Sequence, residues 1–283
     1  MKRILITGAR GFVGAPLSAK LSSLGYEVIP FRHTDTPSPL LFEGLEGVVH
    51  LAGEPVAPSA WAIRWSKEKK RRILVSRVEG TTPLVQALLK TKNPPQFFFS
   101  ASAVAYYGSC GDRVLTEESR KGRGFLSDVC EKWEKTSAVL KERGIRVIHG
   151  RFGNVVDPSG GIFKRVATLF KWGPAVQFGD GKQWMSWIAL SDLVDAISSI
   201  VFETTLEGAV NCTSPHPVTH REWTEMVAHF VSRRAIWKLP APLVRLLCGE
   251  MGEELFLSSV RALPKKLIDS GFQFKKPQLE NIY

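Results

Sequence analysis

Apolar and polar positions follow one another along the chain in blocks that predict strands and helices in turn. Short apolar runs, typical of strands buried in a parallel sheet, occupy residues 2–7, 26–31, 47–51, 96–100, 145–150 and 208–213. Between them, apolar residues recur at helical spacing, which predicts helices over 12–24, 66–90, 125–142, 162–170 and 219–231. The segment 184–192 is predicted to lead into one further helix. Strands that alternate with helices in this way predict an α/β fold.

Other segments lack this clear alternation. Residues 34–46 contain prolines and no helical period, so we expect a loop there and another over 173–181. Ser191 or Asp192 is the expected cap of the helix that follows, and His220 is expected at the surface. Composition shifts near 158–161. We therefore expect a boundary there, between a first domain over 1–158, to which part of the later chain returns, and a second lobe that comprises most of 159–283.

The first predicted strand runs into a glycine-rich turn, GARGFVG, with the spacing GxxGxxG. Gly8 lets the chain turn sharply off the strand, and Gly11 lets backbone N–H groups approach a pyrophosphate without a Cβ in between. Gly14 lets the following helix pack close to the sheet, with its positive N-terminus toward the phosphates. This order of strand, glycine turn and helix predicts a dinucleotide site.

The end of the second predicted strand bears on the choice of cofactor. Folds that bind NAD usually carry Asp or Glu there, which accepts a hydrogen bond from the ribose 2′-hydroxyl. Here Arg32 follows the strand and no acid does. A charge-assisted bond to a 2′-phosphate contributes about 1.5–3 kcal/mol, or about ten- to a hundredfold in favour of NADP. The alternative is that Arg32 is an ordinary surface arginine.

Composition narrows the class of protein. The chain has 283 residues and a net charge of +11, with 38 basic and 27 acidic residues. The densest basic run, 67–72, is expected to be a solvated helix face, and without a nucleic-acid fold signature nucleic acid is an unlikely partner. Four scattered cysteines indicate a reducing, cytoplasmic location, and we expect neither a signal peptide nor a membrane span. No metal site is expected, because His216, near His220, is flanked by prolines.

The fourth predicted strand ends in the hydroxyl-rich segment SASAVAYYG, residues 100–108. Ligands in open α/β sheets bind beyond the carboxyl ends of the strands, so this segment should face the site. Farther on, Trp184 and Trp187 either line a pocket for a ring-containing ligand or belong to the core.

The segments TGARGFVG, HLAG, SASAVAYYG, RFGNVV and WIALSDLVDAI occur in this order. Together they resemble the extended short-chain dehydrogenase/reductase family, and specifically an atypical branch termed epimerase family proteins. The segment GEMGEELFLSSVRALPKKLIDSGFQF resembles that branch's C-terminal domain of unknown function. The resemblance implies a Rossmann-type, doubly wound parallel sheet with a small C-terminal α+β substrate lobe, and NADP(H) as cofactor. The implied cofactor contacts are Thr7, Gly8, Arg10, Gly11, Phe12, Val13, Gly14, Arg32, Leu51, Ala52, Gly53, Arg77, Ser100 and Val155.

The catalytic pair of that family does not carry over. Typical members need a Tyr as acid/base and a Lys four residues later, which lowers the pKa of the Tyr. Counted back from Glu134, these two positions hold Leu126 and Cys130. Ser102 resembles the serine that polarises a substrate carbonyl, although a turn serine bonded to its own backbone is equally compatible. Tyr106 is the candidate substitute acid, with packing or nicotinamide contact as the alternative.

Three functions therefore remain open. The first is an NADP-dependent oxidoreductase or epimerase-like enzyme with a non-standard acid/base and an unknown substrate, for which a sugar nucleotide is one option. The second is a catalytically silent NADP(H)-binding sensor or regulator, and the third is a nucleic-acid accessory protein. Pairing through the helix over 125–142 would give a homodimer, but the sequence is equally compatible with a monomer.

Overall fold

The strands and helices alternate along most of the chain. The computed structural model describes residues 2–32, 34–57, 63–233 and 235–282. The strands are β1 (Arg3–Thr7), β2 (Glu27–Phe31), β3 (Gly47–His50), β4 (Phe97–Ala103), β5 (Val114–Leu115), β6 (Arg146–Phe152), β7 (Asn154–Asp157), β8 (Ala175–Phe178), β9 (Trp184–Met185), β10 (Trp187–Ala189), β11 (Gly208–Cys212), β12 (Val218–Thr219), β13 (Ala235–Leu239) and β14 (Arg261–Ala262). The α-helices are α1 (Gly14–Ser23), α2 (Pro39–Phe42), α3 (Lys67–Arg77), α4 (Thr82–Lys90), α5 (Phe125–Ala138), α6 (Gly161–Trp172), α7 (Leu190–Phe202), α8 (His220–Phe230), α9 (Ala241–Gly252) and α10 (Lys265–Asp269). Short 3₁₀ turns cover Val104–Tyr107, Val139–Arg143 and Leu279–Ile282, and one π turn covers Glu253–Leu257.

Six strands form the central sheet in the order β2-β1-β3-β4-β6-β11, and every neighbouring pair is parallel. The chain goes from β1 to β2 on one side and then to β3 on the other, so the topological switch point lies between β1 and β3. Ligands of doubly wound sheets bind at such a point, beyond the carboxyl ends of the strands. The predicted fold class is confirmed.

Helices cover both faces of this sheet. Alternate strand residues point to opposite faces, so Ile4 and Ile6 pack under α1 and α7, while Leu5 packs toward α2 and α4. All three side chains are fully buried, as expected for a strand covered on both faces. The chain beyond residue 158 thus adds a helix and a strand, α7 and β11, to the layers around the central sheet.

The remaining later segments build a second core above the carboxyl edge of the sheet. Helices α6 and α8 pack there around Phe163, Trp187 and Trp223. Pairs of short strands surround them: β7 with β10, β8 with β13, and β9 with β12. In the part of the chain that the structure describes, no helix is long and apolar enough to cross a bilayer.

Several predicted elements differ from the structure. The helix expected over 66–90 is two helices, because the chain turns around Gly80, where a Cβ would lie 2.5 Å from the Ser76 carbonyl oxygen. The loop expected over 173–181 contains β8, which forms only because β13, far along the chain, pairs with it. One turn of helix, α2, interrupts the loop expected over 34–46. The cap prediction for α7 is also wrong: Ala189 is the N-cap, and Asp192 accepts backbone bonds from Lys275 and Lys276 instead.

Candidate active site

A cavity of about 1000 Å³ lies at the switch point, between the carboxyl edge of the central sheet and the C-terminal lobe. Its floor is the glycine turn after β1 and the ends of β3, β4 and β6, and one wall is α5. The segments after β8 and the turns that follow α9 form the opposite wall. This volume is at the upper end of the range for small-molecule and cofactor sites.

The glycine turn is closely packed against its own backbone. Gly8 adopts φ +70°, and its carbonyl oxygen accepts a bond from Gly11 N–H at 2.8 Å. A Cβ on Gly14 would lie 2.0 Å from that same oxygen, so no larger residue fits at the start of α1. From the described residues, no side chain caps α1, and its first turn holds no acid. The N–H groups of Ala15 and Leu17 are bonded to the carbonyl oxygens of Gly11 and Val13, and Pro16 has none, so this end offers an anion mainly its positive dipole.

A buried polar chain behind this turn fixes the ends of β1 and β3. Thr7 Oγ1 accepts bonds from the backbone N–H groups of Leu51 and Ala52, both at 3.1 Å, and lies 2.7 Å from His50 Nδ1. The other His50 nitrogen lies 2.9 Å from Thr81 Oγ1. Burial lowers the pKa of His50 to about 4, so the ring is neutral at physiological pH. Thr7 and Ala52 thus shape the floor of the cavity from behind.

Arg77 brings a cation to the same end of the cavity. Its Nη1 donates to the Glu54 carbonyl oxygen at 2.9 Å, and its guanidinium lies over the Trp133 ring at 5.2 Å from the centroid. A Cβ on Gly53 would lie 3.4 Å from the guanidinium carbon, so a glycine leaves room for this packing. Burial lowers the pKa of Arg77.

The predicted cofactor residues fall into three groups. Those that line the cavity are Gly8, Gly11, Phe12, Val13, Gly14, Leu51, Gly53, Arg77 and Val155. Thr7, Ala52 and Ser100 lie outside the described cavity lining; Thr7 and Ser100 are buried, and the Ser100 hydroxyl donates to the Ala101 carbonyl oxygen. Arg10 and Arg32 are exposed at the rim of the sheet. The backbone N–H of Arg32 donates to Asp35 Oδ2 at 2.7 Å.

The positions that would hold the catalytic pair face the cavity from α5. Leu126 and Cys130 both line it, and both are buried. Burial, and to a lesser extent the charge of Glu134, raises the pKa of the Cys130 thiol to about 11. The thiol is therefore neutral at physiological pH. Leucine carries no ionisable group, so these two positions present neither a fixed charge nor the usual acid/base.

Ser102 belongs to a buried ionic network. Its hydroxyl donates to Glu134 Oε1 at 2.7 Å. The Glu134 carboxylate also accepts two bonds from Arg151, at 2.9 Å from Nε and 2.8 Å from Nη2. The Ser102 hydroxyl thus donates to Glu134 and has the Cys130 thiol as a second hydrogen-bonding neighbour; its oxygen has two lone pairs, so it can still act as an acceptor. The bond to Glu134 differs from the own-backbone alternative, and the catalytic role of Ser102 stays a prediction.

The two tyrosines of the turn pack on the same arginine. The Tyr106 ring lies 3.5 Å under the Arg151 guanidinium, and Tyr106 is not among the described residues that line the cavity. Tyr107 is fully buried; its hydroxyl donates to Asn211 Oδ1 at 2.7 Å and accepts from Arg151 Nη1 at 3.0 Å. Burial raises the pKa of Tyr107 to about 12. Tyr106 thus packs on Arg151, and its role as a substitute acid stays a prediction.

Sequence reasoning missed most of the wall contributed by the C-terminal lobe. His220, expected at the surface, lines the cavity at the start of α8 and packs against Phe178, and burial lowers its pKa to about 4. Glu254 lines it as well, and its carboxylate accepts bonds from the backbone N–H groups of Phe125 and Leu126 at 2.6 and 2.8 Å. The acid-rich segment GEMGEEL was the available signal, but nothing in it indicated a partner in α5.

The two tryptophans considered for a ring pocket lie in different places. Trp184 lines the cavity, whereas Trp187 is fully buried in the core and donates to the His216 carbonyl oxygen. The basic run 67–72 lies on α3, where Lys69 and Arg72 pair with Glu54. Among the described residues, no cluster of three metal-ligating side chains occurs.

Comparison with known proteins agrees with this geometry. The profile of the NAD dependent epimerase/dehydratase family matches residues 4–212, and that of a domain of unknown function, DUF1731, matches 239–282. Epimerase family protein Mb2239 of Mycobacterium bovis is 34% identical, over 96% of this chain and 93% of its own length. Epimerase family protein YfhF of Bacillus subtilis is 31% identical, over 98% of this chain and 95% of its own length. The crystal structure of human epimerase family protein SDR39U1 with NADPH matches at a TM-score of 0.89 and 25% identity, over 99% of this chain and 97% of that chain.

Proposed function

Because the chain belongs to the NAD dependent epimerase/dehydratase family, we propose that it binds NADP(H) in this cavity and acts as an oxidoreductase or epimerase-like enzyme. Residues 1–158, with α7 and β11, would form the cofactor-binding part, and the rest of 159–283 would mainly form the substrate lobe. We expect a reducing, cytoplasmic location, since all four cysteines are free.

The residues present fit such a dinucleotide. The uncapped N-terminus of α1 and the Cβ-free surface at Gly11 suit a pyrophosphate. Arg32 directly follows β2 with an exposed side chain, which suits a 2′-phosphate, and Arg10 adds a second exposed cation on the turn. The crystal structure of human SDR39U1 with NADPH supports the choice of NADP(H). When bound, NADPH supplies a hydride.

The chain's own residues hold and shield the reactants. Leu126 and Val129 exclude water along α5, and the neutral Cys130 thiol leaves this wall uncharged. Ser102, held through its proton by Glu134, offers an oxygen acceptor that orients a donor group of the substrate. The observation that carries the proposal is the uncapped glycine turn opening into a cavity with room for a second molecule.

Titration of the purified protein with NADPH, NADP⁺, NADH and NAD⁺ tests the cofactor. We expect NADP(H) to bind about ten- to a hundredfold more tightly than NAD(H). Arg32→Glu should remove that preference, whereas Lys132→Glu, on an exposed position of α5, should keep it. Equal affinity for all four forms in the wild type, or a preference that survives Arg32→Glu, would contradict the assignment.

A catalytically silent NADP(H) sensor is the second candidate, favoured by Leu126 and Cys130 in place of the acid/base pair. The two functions separate in a single-turnover assay. If an added carbonyl compound oxidises protein-bound NADPH faster than it oxidises NADPH in buffer, the protein is an enzyme. Tight binding without oxidation across a broad set of carbonyl compounds favours the sensor.

A further inference from the structure

We infer that the molecule bound beside the cofactor is an uncharged, ring-containing compound and not a nucleoside-diphosphate sugar. The inference rests on the proposed function only in assigning the glycine-turn end of the cavity to NADP(H). The remaining space is then bounded by α5 on one side and by the C-terminal lobe on the other.

Aromatic rings fixed by other contacts form the lobe's wall. The Trp184 indole donates to Asp112 Oδ1 at 2.9 Å, and the Arg261 guanidinium covers it at 4.2 Å from the ring centroid. Phe256 stacks on Phe178, with ring centroids 4.5 Å apart and 17° between planes. Since these rings are held before any ligand arrives, a flat ring can stack on them at little entropic cost.

The same wall presents few cations to a ligand, because the Arg261 guanidinium lies on the Trp184 ring and is not among the described lining residues. Among the described residues of the C-terminal lobe that line the cavity, no Lys or Arg occurs, whereas Glu250, Glu253 and Glu254 do. The cations elsewhere in the described lining are Arg77, which is bonded to the Glu54 carbonyl oxygen, and Arg123, which is exposed. Glu250 and Glu253 are already paired with Lys70 and Arg245, so a diphosphate seated against this wall would have to compete with these carboxylates for their cations.

The helix terminus that could replace those cations is already occupied. The first N–H groups of α5 point at the cavity's edge, a position that attracts anions. Glu254 fills it with two backbone bonds, to Phe125 and Leu126. The protein therefore supplies its own anion where a substrate phosphate would otherwise bind.

The α5 side of the cavity is neutral and offers an acceptor. Leu126 and Cys130 carry no charge there, and the Ser102 proton is given to Glu134. A ligand with a hydroxyl group can donate to Ser102 Oγ and stack on Trp184 at once. These features together define an uncharged ring compound with a hydrogen-bond donor.

Calorimetric titration of the full chain, saturated with NADP⁺, tests this with two probes: 2-naphthol, an uncharged hydroxylated ring compound, and UDP-glucose. We expect 2-naphthol to bind about tenfold or more tightly than UDP-glucose. Ser102→Ala should weaken 2-naphthol about fivefold. Equal or tighter binding of UDP-glucose would overturn the inference, and so would the failure of 2-naphthol to bind.

Charge variants check the cause. Glu253→Lys should tighten UDP-glucose about fivefold or more, whereas Glu225→Lys, the same change on an exposed site of α8, should not. An equal response to both variants would contradict the role of the carboxylate wall. The NADP⁺ titration comes first, so that a failure of the cofactor assignment is identified separately. If NADP⁺ does not bind, the affinities for 2-naphthol and UDP-glucose are compared on the protein without cofactor.

Discussion

Breaking the Glu134–Arg151 pair should be among the most damaging single changes in the chain. The two side chains are 12% and 5% exposed and share two hydrogen bonds. Burial lowers the pKa of the Arg151 guanidinium, but the bonds and charge of Glu134 outweigh it, so that the net pKa is raised. Removing either partner leaves the other charge buried and unpaired.

The expected cost follows from that geometry. Removing one partner of a buried pair costs about 3–5 kcal/mol, and for a chain of this size each kcal/mol lowers the melting temperature by about 2 °C. Arg151→Met and Glu134→Gln should each lower it by about 6–10 °C. The double variant buries no lone charge, so its loss should be smaller than the sum of the two single losses by about 1–3 kcal/mol.

Urea unfolding followed by tryptophan fluorescence measures these losses, with Trp133 on the same helix as a reporter. The exposed i,i+4 pair Glu131–Lys135 is the matched control on α5, and Glu131→Gln should cost less than about 0.5 kcal/mol. Single losses no larger than this control, or a double variant with additive losses, would refute the reasoning that the network is an interdependent buried unit.

Three other measurements test the site and its surroundings. Gly11→Ala should abolish NADPH binding. It should change the free energy of unfolding by less than about 1 kcal/mol, because a Cβ on Gly11 would meet only a carbonyl oxygen at 3.1 Å. The remote control Gly173→Ala should have an equally small effect on stability, and unimpaired NADPH binding in Gly11→Ala would exclude a pyrophosphate there. With a pKa near 11, Cys130 should react with iodoacetamide at pH 8 about a hundredfold more slowly than in the urea-unfolded chain, by mass spectrometry. Burial lowers the pKa of His149 to about 4. As the pH falls from 6.5 to 4, only the unfolded state gains this proton, so the free energy of unfolding decreases. His149→Gln should reduce the loss between pH 7 and 5 by about 2 kcal/mol, and an unchanged loss in this variant would contradict the assignment.

The central sheet could be predicted from the sequence because its signals are local. Strands buried on both faces, such as β1 and β3, are continuous apolar runs whatever their partners are. The glycine turn is likewise legible, since Gly8 and Gly14 are required by the backbone's own close approach. Family and fold therefore followed from short segments read in order.

The substrate side could not be predicted because it is made by distant contacts. Strand β8 exists through its pairing with β13, and His220 is covered by Phe178, which the sequence gives no reason to bring near. Glu254 lies 128 positions from its partner Leu126. No periodicity or spacing records such a pairing, so the site's electrostatics appeared only with the fold.

The departures from the family's catalytic pair and the acidic lobe wall have a common consequence. On α5, the Cys130 thiol is neutral and the Glu134 carboxylate is paired with Arg151, so the described side chains beside Ser102 present no unpaired charge to the cavity. On the opposite wall, Glu254 satisfies the α5 N-terminus from within the protein. A charged substrate would have to displace or oppose one of these internal pairs, at a cost in free energy that an uncharged one avoids. The neutral α5 wall and the internally paired carboxylates of the lobe therefore both support the proposed neutral substrate.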